Sequence, residues 1–89
     1  MNLQSLTLAV DSILWNVWDP IGVNDAPEAR DEYTSYAPEV TGLLVAGASD
    51  NEIRSYLAGI ILESMGLSWV NPDRERLTLA ALRALPLTE

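Results

Sequence analysis

The sequence predicts an all-α fold, a compact four-helix bundle with a long, structured acidic loop between its first two helices. Apolar residues recur every three or four positions in four segments, and residues that start or stop helices bound each segment. No segment alternates Val, Ile and Thr in the manner of a strand. A chain of 89 residues is too short for two independent cores, so we expect a single domain over residues 1–89.

The first helix has the clearest periodicity. Its predicted buried stripe consists of Leu3, Leu6, Val10, Ile13, Leu14 and Val17. The helix should end at Asp19-Pro20, because proline cannot continue the hydrogen-bond ladder and restricts the residue before it. Leu8 and Trp15 lie on the opposite side of the helix. That placement indicates either a second packing neighbour in the bundle or an exposed face on which Trp15 anchors a partner.

The acidic loop covers residues 19–32 and has two prolines, a glycine and no sustained period. Asp19 is predicted to accept backbone N–H bonds in a turn. Asp25 and Glu28, with Pro27 between them, have the form of a helix-capping box, so a single helical turn is expected there. Connections of this length are uncommon in compact domains and are disproportionately functional.

The second helix is predicted to start with Thr34 or Ser35 as its N-cap and to end at Gly47. Its apolar period runs through Tyr33, Tyr36, Val40, Leu43, Leu44 and Gly47. A third helix should follow the capping box formed by Ser49 and Glu52. Its buried stripe is predicted to be Ile53, Leu57, Ile60 and Ile61, with Gly66 at the C-terminal cap. A smooth face of Ser55, Gly59, Leu62 and Gly66 would permit close approach of another helix.

The fourth helix is predicted to open at Asn71-Pro72, an N-cap followed by proline at the first helical position. It should run to about Leu85. One face carries Leu77, Ala80, Ala81, Ala84 and Leu85, and the leucines at 79 and 82 lie across from it. As in the first helix, apolar residues on two sides indicate either a central position in the bundle or an exposed interface.

The composition excludes most catalytic chemistry. The chain has no Cys, no His and no Lys, which removes thiolate and imidazole catalysis, disulfides, zinc knuckles and Schiff bases. Carboxylate catalysis needs a substrate cleft, for which a small bundle has little volume. We therefore expect a non-enzymatic protein with no catalytic residues and no cofactor.

The charge is concentrated in one part of the chain. The net charge is −8, and residues 19–52 contribute −7 of it through eight acids and one arginine. Five scattered arginines disfavour binding to nucleic acid, while a focused negative field speeds association with a basic protein surface. This pattern predicts an inhibitor or immunity-type protein that presents Asp25, Glu28, Asp31 and Glu32, together with Trp15, to a basic partner.

Two alternatives to this docking role stay open from the sequence. The first is a divalent-cation site, because hard cations prefer carboxylate oxygens and the loop carries Asp19, Asp25, Glu28, Asp31 and Glu32. Their spacing does not match an EF-hand, and loop carboxylates are ordinarily solvated, so no metal ligand is assigned. The second is a homo-oligomeric structural protein, for example a homodimer, whose subunits contact each other through Trp15 and the smooth face of the third helix.

The chain carries no sequence signal for a membrane. The first five residues have no basic side chain, unlike the start of a signal peptide. The apolar runs, of which residues 57–62 are one, are far too short to span a bilayer. We therefore expect a cytoplasmic protein that does not contact membranes.

Trp18-Asp19-Pro20 followed by Ile21-Gly22 forms a Trp-Asp-Pro-x-Gly motif, and an acidic-Tyr segment lies downstream. The segments that accompany this motif are Pro27-Glu28-Ala29, Asp31-Glu32-Tyr33, Tyr36, Gly47-Ala48-Ser49 and residues 63–67. Through these residues the chain resembles a group of small bacterial hypothetical proteins over about residues 10–70. The resemblance implies a compact helical fold and carries over no catalytic residue. It singles out residues 19–36 as either a structural clasp or a site.

Overall fold

The computed structural model describes residues 2–19, 26–66 and 70–86, and within these ranges it is all-α with no strand. The helices are α1 (Leu3–Ile13), α2 (Ala37–Val45), α3 (Asp50–Gly59) and α4 (Pro72–Arg83). α1 and α3 each pack against both α2 and α4, which closes a ring of four helices. The predicted four-helix bundle is confirmed. Of the helices described, none is both long and apolar enough to cross a lipid bilayer.

Of the predicted stripe of the first helix, Leu6, Val10 and Leu14 are buried, Ile13 and Val17 are half-buried, and Leu3 is exposed. A wider π-helical turn over Leu14–Trp18 extends the helix, and the Asp19 N–H donates to the Leu14 carbonyl at 2.9 Å. The predicted end of the first helix at Asp19 is thus confirmed.

α2 begins later than the sequence predicted. Its N-cap residue is Tyr36, which makes no side-chain cap bond, and Thr34 lies in a preceding 3₁₀ turn, Thr34–Tyr36. The hydroxyl of Thr34 donates to Asp11 on α1, so a tertiary contact replaces the predicted N-cap. The C-terminal prediction is confirmed: Gly47 has a φ of 79°, and its N–H donates to the Leu44 carbonyl in a glycine-terminated cap.

The starts of α3 and α4 are those predicted. Ser49 accepts from the Glu52 N–H, and Glu52 accepts from the Ser49 N–H, so both bonds of the capping box are present. The Asn71 side chain accepts from the N–H groups of Asp73 and Arg74. A second π-helical turn, Ile60–Ser64, extends α3 as far as Gly66, which has a φ of 70°.

α4 turns its leucine pair inward. Leu79 and Leu82 are buried, whereas Leu77, on the face with more apolar residues, is 55% exposed. That face combines Leu77 and Leu85 with three alanines, whereas the opposite face places Leu79 and Leu82 in the core, so the number of apolar residues does not decide which face is buried. Two ion pairs also join α4 to α3, Arg54–Glu75 at 3.0 Å and Arg83–Asp50 at 2.7 Å.

Tyr56 on α3 makes the stability of the fold depend on pH. Partial burial, then the negative charge of Glu39 and the nearby Tyr36, raise the pKa of Tyr56 above its usual value near 10. The folded state thus holds this proton more tightly than the unfolded chain does. The stabilisation is complete below about pH 10 and is lost as the pH rises through the raised pKa.

We therefore expect the free energy of unfolding to fall less steeply above about pH 10 in Tyr56→Phe than in the wild type. Glu39→Gln should lie between the two, since it removes only the second cause of the raised pKa. Urea unfolding between about pH 8 and pH 11 measures the difference. Identical slopes for wild type and Tyr56→Phe would contradict the prediction.

Candidate functional site

Three acidic residues of the segment between α1 and α2 form an exposed surface, which we call the acidic turn: Glu28, Asp31 and Glu32. A 3₁₀ turn over Pro27–Ala29 begins it, and the Glu32 N–H donates to the Ala29 carbonyl at 2.9 Å. None of the three carboxylates forms an ion pair within the part of the chain that the structure describes. Asp25, the other predicted docking acid, lies outside the described residues.

Arg30 lies between the acids of the acidic turn, and its guanidinium reaches α1 although the side chain is 45% exposed. Its Nη1 lies 3.1 Å from Oδ2 of Asp11, and its guanidinium lies 5.3 Å from the ring centroid of Trp15. Arg30 therefore neutralises a nearly buried carboxylate on α1 and leaves its chain neighbours Glu28 and Asp31 uncompensated. The acidic turn keeps the full negative charge of its three carboxylates.

Thr34 completes the attachment of this segment to α1. Its hydroxyl donates to Oδ1 of Asp11 at 3.1 Å, while Arg30 pairs with Oδ2, so both oxygens of this buried carboxylate are satisfied. A carboxylate this buried is costly without such partners. Glu28 and Asp31 line a shallow, open depression together with these three residues. The acids at the rim of the depression are thus carried on a turn that is bonded to the helix behind it.

A second cluster, the aromatic clasp, consists of Trp18, Asp19, Tyr33 and Tyr36. Tyr33 is fully buried, and its hydroxyl donates to Oδ1 of Asp19 at 2.6 Å. The Trp18 ring meets Tyr33 edge-on at a centroid distance of 5.4 Å and Tyr36 at 6.2 Å. Asp19 is itself buried, at a φ of 27°, so its carboxylate faces the core. The clasp ties the end of α1 to the chain just before α2.

The prediction of Trp15 as a surface anchor for a partner is wrong. Its side chain is 7% exposed, because Tyr33 packs on it at a centroid distance of 6.1 Å and Arg30 covers its ring. The residues that cover Trp15 are Arg30 and Tyr33, which belong to the connection between α1 and α2. Leu8, one heptad earlier, is 63% exposed.

Comparison of the chain with protein-family models, curated proteins and solved structures finds no match. The resemblance to small bacterial hypothetical proteins therefore stays a prediction. The described residues of that motif, Trp18 and Asp19, belong to the aromatic clasp together with Tyr33 and Tyr36.

Sequence reasoning did not identify Asp11, Arg30 and Thr34 as a unit. Two signals were present. Asp11 lies one turn before Trp15 and two turns before Trp18, so a carboxylate shares the side of α1 that carries these two tryptophans. Arg30 is the only cation between residues 19 and 52. A lone cation near a lone inward-facing acid is a candidate ion pair, although their separation of 19 positions gave no spacing rule by which to join them.

Proposed function

We propose that this protein is a non-enzymatic protein-binding module that docks the acidic turn on a basic surface of a partner protein. The observation that supports this most directly is the pairing of Arg30 with Asp11 rather than with the acids around it. Glu28, Asp31 and Glu32 are thereby exposed together without a compensating cation.

The other cations of the chain are engaged elsewhere. Arg54, Arg76 and Arg83 form ion pairs with acids of α3 and α4, and Arg74 donates to the Val17 carbonyl at 3.1 Å. All five arginines therefore contact acceptors within their own chain. This distribution leaves the acidic turn as the strongest concentration of uncompensated charge among the described residues, which favours a cationic partner over a polyanion.

The proposed partner is a protein with a basic groove, of the kind found on enzymes that bind or cleave nucleic acids. The acidic turn would act there as an inhibitor or immunity-type plug. Complementary charge accelerates encounter by about 10- to 1,000-fold at low salt, and the effect fades as the Debye length shrinks. The bonds from Arg30 and Thr34 to Asp11 hold the acids in place before binding, which reduces the entropy lost on docking.

The test is capture of partners from the native cell extract with three forms of the purified chain. The docking variant carries Glu28→Gln, Asp31→Asn and Glu32→Gln. A control variant carries Glu39→Gln, Glu63→Gln and Asp73→Asn, which makes the same chemical changes at exposed acids outside the acidic turn. We expect the wild type and the control to retain a basic protein at about 50 mM salt and to lose most of it at about 500 mM.

The docking variant should retain at least about tenfold less of that protein at low salt. Circular dichroism of both variants is the control that they are folded. Equal capture by the docking and control variants would show that net charge, and not this surface, is responsible. Capture that does not change with salt would contradict electrostatic docking altogether.

The two alternatives from the sequence gain no specific support. Asp19 faces the core and binds Tyr33, and among the described residues no three acidic side chains converge in a manner that would hold a cation. For a homodimer, the proposed anchor Trp15 is buried. Leu62 on the smooth face of α3 is 48% exposed, but exposed single leucines are ordinary on protein surfaces.

A further inference from the structure

A cavity of about 140 Å³ lies where the ends of α1 and α3 meet the start of α4. Its lining combines three apolar side chains with one amide and three charged groups: Trp18, Ile61, Val70, Asn71, Asp19, Arg74 and Glu75. A cavity of about 150 Å³ in another protein accommodates benzene. This cavity is therefore large enough for a ligand of about six non-hydrogen atoms, and it shares no residue with the acidic turn.

Two unusual backbone features meet at this cavity. The π-helical turns of the described chain both contribute to its lining, Leu14–Trp18 through Trp18 and Ile60–Ser64 through Ile61. Such turns are rare and are frequently found at functional sites. Asp19, which also lines the cavity, is the one non-glycine residue with a positive φ among the described residues. Strained backbone of this kind clusters at ligand sites.

Both carboxylates in the lining already have partners within the chain. The Asp19 carboxylate accepts from the Tyr33 hydroxyl at 2.6 Å. Oε1 of Glu75 lies 3.0 Å from Nε of Arg54, so an arginine beside the cavity balances the second acid. A cation that entered the cavity would therefore meet no carboxylate in the lining that lacks a partner, and burying a charge without a counter-charge is costly.

An anion is no better matched to the lining. The Arg74 guanidinium donates from Nη1 to the Val17 carbonyl at 3.1 Å. The N–H groups of Asp73 and Arg74 at the start of α4, which could attract an anion, donate to the Asn71 side chain. With Arg54 included, two carboxylates and two guanidinium groups lie at the cavity, so their formal charges cancel. This balance favours a neutral ligand.

The lining offers this ligand both a donor and an acceptor. The Arg74 guanidinium has N–H groups besides the one that contacts a carbonyl, and Glu75 has Oε2 beside the paired Oε1. A hydroxyl group both donates and accepts through a single oxygen, whereas an amide needs two heteroatoms to do so. In a cavity for about six non-hydrogen atoms, a hydroxyl leaves about five carbon atoms for contact with the apolar side chains.

We infer that this cavity binds a small neutral alcohol with an apolar body of about five carbon atoms. Its hydroxyl donates to the Glu75 carboxylate and accepts from the Arg74 guanidinium. Its carbon chain packs between Trp18, Ile61 and Val70. A few polar groups beside an apolar wall are typical of small-molecule sites. The inference does not depend on the docking role proposed for the acidic turn.

The first experiment titrates the ¹⁵N-labelled protein at neutral pH with three probes that share one carbon skeleton: isoamyl alcohol, isoamylamine and isovalerate. The alcohol should cause saturable shifts at Arg74, Glu75 and the Trp18 indole N–H, with a Kd of about 1 mM for a ligand of this size. The cationic amine and the anionic isovalerate should each bind at least about tenfold more weakly. No saturation by the alcohol below about 100 mM, or equal binding of either charged probe, would overturn the proposal.

The second experiment changes the charge balance from which the neutral ligand is inferred. Arg54→Gln leaves the Glu75 carboxylate without its partner, so isoamylamine should gain at least about fivefold in affinity relative to the alcohol. Glu75→Gln is the matched opposite change: it leaves the Arg54 guanidinium unpaired, so isovalerate should gain by a similar factor. The wild-type preferences in both variants would show that these charges do not select the ligand, and the proposal would fail.

Discussion

Leu82→Ala is expected to lower the free energy of unfolding by about 2–5 kcal/mol, whereas Leu77→Ala in the same helix should lower it by less than about 1 kcal/mol. Leu82 is fully buried in the core cluster, and Leu77 is 55% exposed. Truncating the buried leucine removes its transfer free energy and leaves a cavity. The exposed leucine loses only part of the transfer term. A domain of this size has a total free energy of unfolding of about 4–13 kcal/mol, so Leu82→Ala alone is severe.

The comparison is well matched, because both substitutions exchange leucine for alanine inside α4 and so share the same change in helix propensity. Urea unfolding followed by circular dichroism gives both free energies, with unchanged slopes showing that the denatured state is comparable. Should the two variants lose equal stability, or should Leu77→Ala lose more, α4 would be rotated relative to the orientation described.

The orientation of α4 shows where sequence reasoning ends. Helix starts and stops depend on neighbours within four residues, so the Ser49–Glu52 capping box, the Asn71 cap and the left-handed Gly47 were all predictable. The buried face of α4 depends on which helices surround it. Both of its faces carry apolar residues. The choice between them depends on the apolar area that each face buries against the neighbouring helices, and a local sequence pattern does not contain this information.

The start of α2 and the burial of Trp15 have the same explanation. Thr34 is a good N-cap by its chemistry, yet its hydroxyl binds Asp11, which lies 23 positions earlier. The sequence around Trp15 contains no partner for its ring, and the residues that pack on it, Arg30 and Tyr33, lie at least 15 positions later. In each instance a contact remote in sequence replaces a local preference. The exposure of Glu28, Asp31 and Glu32 was predictable, because acids in a turn are ordinarily solvated.

The pairing of Arg30 with Asp11 could not be predicted from the sequence, although the proposed function depends on it. Composition places one cation among the acids and does not say which acid it neutralises. A pairing with Glu28 or Asp31 would have cancelled part of the charge that the acidic turn presents. Its pairing with Asp11 instead makes the same residue both an attachment to α1 and the reason that the surface stays negative.

The aromatic clasp supports the acidic turn from the other side, since Tyr33 follows Glu32 directly in the chain. Its hydroxyl is buried and donates to Oδ1 of Asp19 at 2.6 Å, a short bond of the charge-assisted type. Removing the hydroxyl takes one hydrogen-bond donor away from the buried Asp19 carboxylate. Tyr36 packs edge-on against the same Trp18 ring, but its hydroxyl forms no hydrogen bond in the described part of the chain. The two tyrosines thus differ in this bond and in burial, since Tyr33 is fully buried and Tyr36 is half-buried.

Tyr33→Phe is therefore expected to lower the free energy of unfolding by about 1–3 kcal/mol, and Tyr36→Phe by less than about 0.5 kcal/mol. A double-mutant cycle with Asp19→Asn, which suits the positive φ at that position and keeps an acceptor oxygen, measures the charge-assisted part of the bond: the combined loss should fall short of the sum by about 1 kcal/mol. Urea unfolding of the five variants and the wild type measures the coupling, with Asp19→Asn/Tyr36→Phe as the control cycle. Additive losses in the Tyr33 cycle would mean that the charge of Asp19 does not strengthen this bond, which would contradict the prediction.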